Sequence, residues 1–265
     1  DGIRVPEDVE QKLQLSLLGV IPMADQAPDE ALLDPKSPIS EAYNSLGGSL
    51  LYSTSEGLPK VLLITSAQST EGKSTTSFAI ASNFARLAKR VVLIDVDLRR
   101  PSLHKRLGMT NEKGITSLLT TSDPAETVLA ATNQPGLSVI TSGPLPPSPT
   151  ELIGSARMRA LLDELAQRFD LVVVDSPPVL GLADAPLMSA LADGVVLVVE
   201  AERGRRGTLK TAIRRLRAMR PVILGAVLTK FDASKMANRY SDYYGYDYYQ
   251  YDSDYAGKRR SWRPA

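Results

Sequence analysis

Short runs of near-continuous apolar, β-branched residues, each followed by a helical pattern, constrain this chain more than any other feature. In order they read KVLLITS, RVVLIDVD, LSVITSG, LVVVDSPP, GVVLVVEA and VILGAVLTK. A strand with one wet face alternates apolar and polar residues, whereas a strand that is apolar throughout has both faces covered. Alternation of such strands with helices predicts an α/β fold, a mostly parallel sheet flanked by helices on both faces. With 265 residues, 43% of them apolar, the chain can bury one good core.

Residues 1–38 are rich in Pro, Asp and Ser around one apolar island, LSLLGVIP, and read as a linker into a domain at 39–235. An amphipathic helix is expected from Ile39 to Tyr52 and another from Lys73 to Lys89. The segment SPTE, Ser148 to Glu151, has capping-box spacing with Pro149 at the first helical position. Residues 236–265 form a tail holding eight of the ten tyrosines of the chain, in the stretch YSDYYGYDYYQYDSDY.

Lys and Arg number 31 against 30 Asp and Glu, a net charge of +1, which makes no overall electrostatic case for a nucleic-acid partner. Basic residues do gather in ERGRRGTLKTAIRRLRAMR, Glu202 to Arg220, where Leu209, Ala212, Ile213, Leu216 and Met219 make a helical apolar stripe and leave Lys210, Arg214 and Arg217 on another face. That face reads as solvated charge or as a surface for an acidic partner. The absence of cysteine and the single histidine, His104, speak against a disulfide framework or a thiolate or imidazole metal site, in keeping with a reducing compartment. His104 and Trp262 have no partner motif and read as ordinary surface or near-surface residues. No stretch approaches the ~20 apolar residues that cross a bilayer. The chain starts at Asp1 rather than Met, so a membrane segment upstream is expected.

Between the first apolar run and its helix lies AQSTEGKST, which fits the phosphate-loop pattern with Ala67 in place of the first glycine. Gly72 lets backbone approach a phosphate, and N–H groups from Ser69, Thr70 and Glu71 through Thr75 face the anion at a helix N-terminus. Lys73 adds a point charge near the β/γ-phosphates and Ser74 a hydroxyl for Mg²⁺. A polar turn with a chance Gly-Lys-Ser is the bland alternative, disfavoured by the strand before it and the helix after. Asp175, closing the run VVVD, stands where a carboxylate meets the hydration shell of the metal. Asp95 and Asp97 lie two apart in VLIDVDLRRP, on one face if the strand runs through both. Two carboxylates on one face favour a cation or a proton-acceptor role over structural capping.

These motifs, together with the tyrosine tail, resemble the bacterial tyrosine kinase family and its Walker A, Walker A′ and Walker B motifs; the likeness runs over residues 39–255. The segments SGPLPPSPTELIGS and LGAVLTKFD also resemble family segments, and LLGVIP resembles the piece joining a membrane-embedded chain-length regulator to its kinase domain. The resemblance implies a P-loop NTPase-like fold and a protein-tyrosine autokinase using ATP and Mg²⁺. Lys73, Asp95 and Asp97 are the implied catalytic residues; Ser74, Asp175 and Asp95 hold the metal. The implied phosphoacceptors are Tyr240, Tyr243, Tyr244, Tyr246, Tyr248, Tyr249, Tyr251 and Tyr255, offered to a neighbouring copy. Implied partners are further copies of the chain, the upstream membrane region and a phosphotyrosine phosphatase. The implied place is the cytoplasmic face of the bacterial inner membrane, in control of capsule or exopolysaccharide assembly. In EAYNSLG the family's Glu is kept as Glu41, but Asn44 and Gly47 stand where ring-forming arginines are expected. The rivals are a nucleotide-switched ATPase of the partition and septum-positioning type, which has a signature lysine where this chain has Gln68, and a nucleotide-binding scaffold that transfers nothing.

Overall fold

The computed structural model describes residues 1–69 and 72–236. In chain order its elements are α1 (Pro6–Leu13), β1 (Leu17–Pro22), α2 (Pro28–Ala31), α3 (Pro38–Leu51), β2 (Val61–Ser66), α4 (Lys73–Arg86), β3 (Val91–Asp95), α5 (Leu103–Arg106), α6 (Ile115–Thr120), β4 (Ala130–Ala131), β5 (Leu137–Ile140), α7 (Pro149–Ile153), α8 (Ala156–Arg168), β6 (Leu171–Asp175), α9 (Asp184–Leu191), β7 (Gly194–Glu200), α10 (Arg206–Ala218) and β8 (Ile223–Phe231).

The strands make one sheet in the order β1-β8-β7-β2-β6-β3-β5-β4. Every pairing is parallel except β4 with β5. Successive residues of each central strand point to opposite faces, and both faces are roofed. Val61 and Leu63 of β2 face a core shared with α1, α6, α8, α9 and α10. Leu62 and Ile64 face a second core, closed by α3 and α4. This is why β2, β3, β6 and β7 are buried along their whole length, and it is the α/β, mostly parallel architecture expected of these apolar runs.

Residues 1–38 differ from the linker expected of them. Leu17–Pro22 pairs with β8 as an edge strand, and Ile3, Val9, Leu13 and Leu15 join the core beneath α10. Their Pro and Asp serve local structure: Pro6 opens α1, and Asp8 accepts N–H bonds from Arg4 and Val5. A second difference concerns Ser148. Pro149 does start α7, but the Ser148 side chain makes no capping bond. The firm caps are Ser37, whose hydroxyl accepts the Ser40 N–H at 3.2 Å, and Ser155, which accepts that of Met158 at 3.3 Å.

Parallel register aligns the strand ends. Ile64 lies level with Asp175, and Asp175 level with Asp95, so one carboxylate ends each of β6 and β3 at the sheet edge where α4 begins.

Candidate active site

The turn from β2 into α4 ends at Gly72, the N-cap of α4, with φ +83°. A left-handed residue is needed there to swing backbone N–H groups round to the helix mouth, and only glycine takes it without steric cost. Thr70 and Glu71 lie outside the described residues. Lys73, the first residue of α4, is 9% exposed and donates from Nζ to Asp175 Oδ1 at 2.7 Å. The Ser74 hydroxyl stands 3.4 Å from that of Ser102.

Asp95 is fully buried, and its carboxylate accepts backbone N–H bonds from Asp97 at 3.0 Å and from Ser102 and Leu103 at 3.1 Å. Burial, followed by the charge of Asp175 on the next strand, pushes its pKa up to about 7 against the pull of those three donors. The capping that the sequence disfavoured is therefore present: Asp95 folds the loop that follows β3. Asp97 lies beyond the strand end, not within it, since β3 stops at Asp95. Its Oδ1 accepts the N–H groups of Arg99 and Arg100 at 3.2 and 2.9 Å.

Above these groups opens a cleft of about 870 Å³. Lys73, Ser74, Thr75 and Asp97 line it, together with Ser69 and Gly72, while Asp95 and Asp175 sit buried below. Ile21 and Pro22 at the end of β1, Tyr43 of α3 and Thr229 of β8 complete its walls. Tyr43 is buried, bonded to the Thr76 hydroxyl at 3.0 Å, and burial pushes its pKa up to about 12, so it stays a neutral phenol.

Sequence reading missed two contacts at the rim. Arg99 donates from Nε to the buried Asp184 at 3.0 Å and from a terminal nitrogen to the Thr150 hydroxyl at 3.0 Å, and Thr150 in turn donates to Asp184 at 2.7 Å. Arg106 reaches the Thr75 hydroxyl at 3.0 Å and pairs with Asp29. Arg99 follows Asp97 closely in LRRP, but nothing local names a partner far along the chain.

Residues 60–220 match the AAA domain family. Tyrosine-protein kinase YwqD of Bacillus subtilis is 37% identical over 213 residues, which cover 80% of this chain and 88% of YwqD. The chain belongs to the bacterial tyrosine kinases. The kinase domain of the Escherichia coli tyrosine kinase ETK superposes with a TM-score of 0.82 at 30% identity, over 92% of this chain and 98% of that domain. The putative tyrosine-protein kinase EpsB of Ralstonia solanacearum is 32% identical over 265 residues, 94% of this chain and 35% of EpsB. Relatives of this kind are protein-tyrosine kinases, and a domain of this family binds nucleotide. Among the described residues no helix is long and apolar enough to cross a membrane. Tyr240 and the seven tyrosines after it lie outside the described residues.

Proposed function

We propose that this kinase transfers the γ-phosphoryl group of ATP to the tyrosine cluster Tyr240–Tyr255 of a neighbouring copy. The Lys73–Asp175 pair, closing the floor of the cleft at 2.7 Å beside the buried Asp95, carries the reading. Phosphoryl transfer asks a protein for positioning and charge neutralisation more than for covalent chemistry. Lys73 supplies a charge that exchanges its carboxylate for a phosphate oxygen. N–H groups at the start of α4, opened by Gly72, hold the phosphates.

The donor set fits Mg²⁺. The Ser74 hydroxyl and the carboxylates of Asp175 and Asp95 are hard oxygen ligands, and Mg²⁺ is held by one or two carboxylates together with phosphate oxygens and water. Among the described residues no three or more His, Cys, Asp or Glu gather as a cage, which suits an ion brought in with the nucleotide. When bound, it neutralises charge on the β/γ-phosphates. Asp97 orients the surrounding water. Asp95 takes the tyrosine proton as the second carboxylate of the site.

The chain spans about a third of EpsB. A membrane-embedded chain-length regulator upstream, attachment at the cytoplasmic face of the inner membrane, a partner phosphatase and a role in capsule or exopolysaccharide assembly all belong to this same proposal. Incubation with Mg-ATP followed by mass-spectrometric mapping tests it. Phosphate on tyrosines 240–255 is the expected result. Nucleotide binding without phosphotyrosine would instead make the chain a scaffold or a nucleotide-switched ATPase.

A further inference from the structure

The basic run Glu202–Arg220 folds into a helix with a purpose its own core does not require. Leu209, Ala212, Ile213 and Leu216 of α10 are buried against the sheet, and Lys210, Arg214, Arg215 and Arg217 are all exposed. Neither Asp nor Glu occurs from Arg203 to Phe231. Arg203 leans on Glu200 and Arg206 on Asp1, but these four cations make no ion pair among the described residues. An amphipathic surface helix ordinarily mixes charges, since like charges at i and i+4 repel, and Lys210 with Arg214 is such a pair. A one-sign face of this kind suits an anion.

The chain itself carries a matching segment, and the fold fixes where it departs. After β8 a short turn, Ala233–Met236, leads to the tail, and Lys235 Nζ lies 3.2 Å from Glu202 Oε2, four residues before α10 begins. The helix is roughly 20 Å long at 1.5 Å per residue. The stretch from residue 237 to 255 reaches up to roughly 60 Å when extended, so every tyrosine of the cluster can meet the basic face of its own chain. The segment carries Asp242, Asp247, Asp252 and Asp254, and each phosphotyrosine adds about −1.5 to −2 charges at pH 7.

We propose that the exposed face of α10, through Lys210, Arg214, Arg215 and Arg217, docks the phosphorylated tyrosine tail of the same chain. Guanidinium groups bind phosphate by paired N–H bonds, which bare aspartates on a tail match less well. Docking thus follows modification and withdraws the product tail from the neighbour's active site. It rests on the reading that these tyrosines are the acceptors, and its test is independent of that transfer.

The probe is a synthetic peptide of residues 238–255 with phosphotyrosine at Tyr246, Tyr248 and Tyr249, titrated by fluorescence anisotropy into the full chain with its eight tail tyrosines changed to phenylalanine. Binding should weaken about tenfold or more when the peptide lacks phosphate, and equally when Lys210→Gln, Arg214→Gln, Arg215→Gln and Arg217→Gln are combined in a chain whose circular dichroism is unchanged. Fully autophosphorylated wild-type chain should not bind the peptide, its own tail already occupying the face, and should sediment as a monomer. Equal affinity for both peptides, or no loss on the fourfold change, overturns the proposal. A phosphorylated chain that is larger than the unmodified one overturns docking within one chain. Vesicles of phosphatidylglycerol in phosphatidylcholine that bind α10 equally before and after phosphorylation would make it a membrane-facing surface and overturn it also. If mapping finds no phosphotyrosine while the peptide binds as expected, the kinase reading fails and the docking surface stands.

Discussion

Lys73 and Asp175 are buried partners, 9% and 2% exposed, so removing one leaves the other an uncompensated charge next to Asp95. Lys73→Met should abolish tyrosine phosphorylation and cost on the order of 3 kcal/mol in denaturant unfolding, with the fold retained. Asp95→Asn should lower the phosphorylation rate about a hundredfold while ATP affinity changes far less, because an amide keeps the size but cannot take the proton. Equal losses in rate and affinity would make Asp95 a metal ligand only. The same carboxylate sets a pH dependence. Burial raises its pKa from 3.8 to about 7, so between those values the folded state binds a proton that the unfolded state has released. Stability of the nucleotide-free chain should be greatest below pH 4 as far as this group is concerned, and should be lost as pH rises through about 7. Melting temperatures across that window check this, and Asp95→Asn should flatten the slope. Lys73, Asp95 and Asp175 were legible in the sequence because each sits in a motif whose neighbours fix its place on a strand end or a helix start. Asp184 was not, since its importance comes from Arg99 and Thr150, which only the tertiary fold brings to it.

Edge strand β1 makes the N-terminal segment part of the kinase fold, and one glycine permits the pairing. Gly225 in β8 has φ +153°, and a Cβ there would lie 2.3 Å from the Ser16 carbonyl oxygen and 2.9 Å from Leu18. Gly225→Ala should therefore cost several kcal/mol, about 2–4, by pushing β1 off β8. Since Ile21 and Pro22 wall the cleft, nucleotide affinity should fall with it; urea midpoints and ATP titrations measure the two effects. Gly72→Ala is a contrasting case. A Cβ there meets nothing closer than the Thr229 hydroxyl at 3.6 Å, so the cost is conformational strain alone, about 1–2 kcal/mol. The central strands were readable as continuous apolar runs because both their faces are roofed. In β1 Leu17, Gly19, Val20 and Pro22 are only partly buried, and its partner β8 lies at the far end of the chain, so a short island ending in Pro gave no strand pattern to read. The two residues of β4 are too few to show any period.

At the scale of the molecule, apolar periodicity told that the strands are covered on both sides but not which strand neighbours which, and the order β1-β8-β7-β2-β6-β3-β5-β4 follows from packing of distant segments. Asn44 accepts a hydrogen bond from Asn83 of α4, and a Cβ at Gly47 would come within 2.5 Å of the Asn83 side chain. Both positions thus serve contact between α3 and α4, where arginines were expected to reach a neighbouring subunit. Those arginines are missing from α3, and under the function proposed above transfer between copies would depend on the tail reaching a neighbour's cleft. Mixing two chains, neither of which can label its own tail, measures that directly. One carries Lys73→Met with its tail intact; the other has a working site and all eight tail tyrosines changed to phenylalanine. With Mg-ATP the first chain should acquire phosphotyrosine at residues 240–255, at a rate that rises with the concentration of the second. An unlabelled tail, at concentrations where the wild-type chain labels itself, would contradict transfer between copies and place the reaction within a single chain.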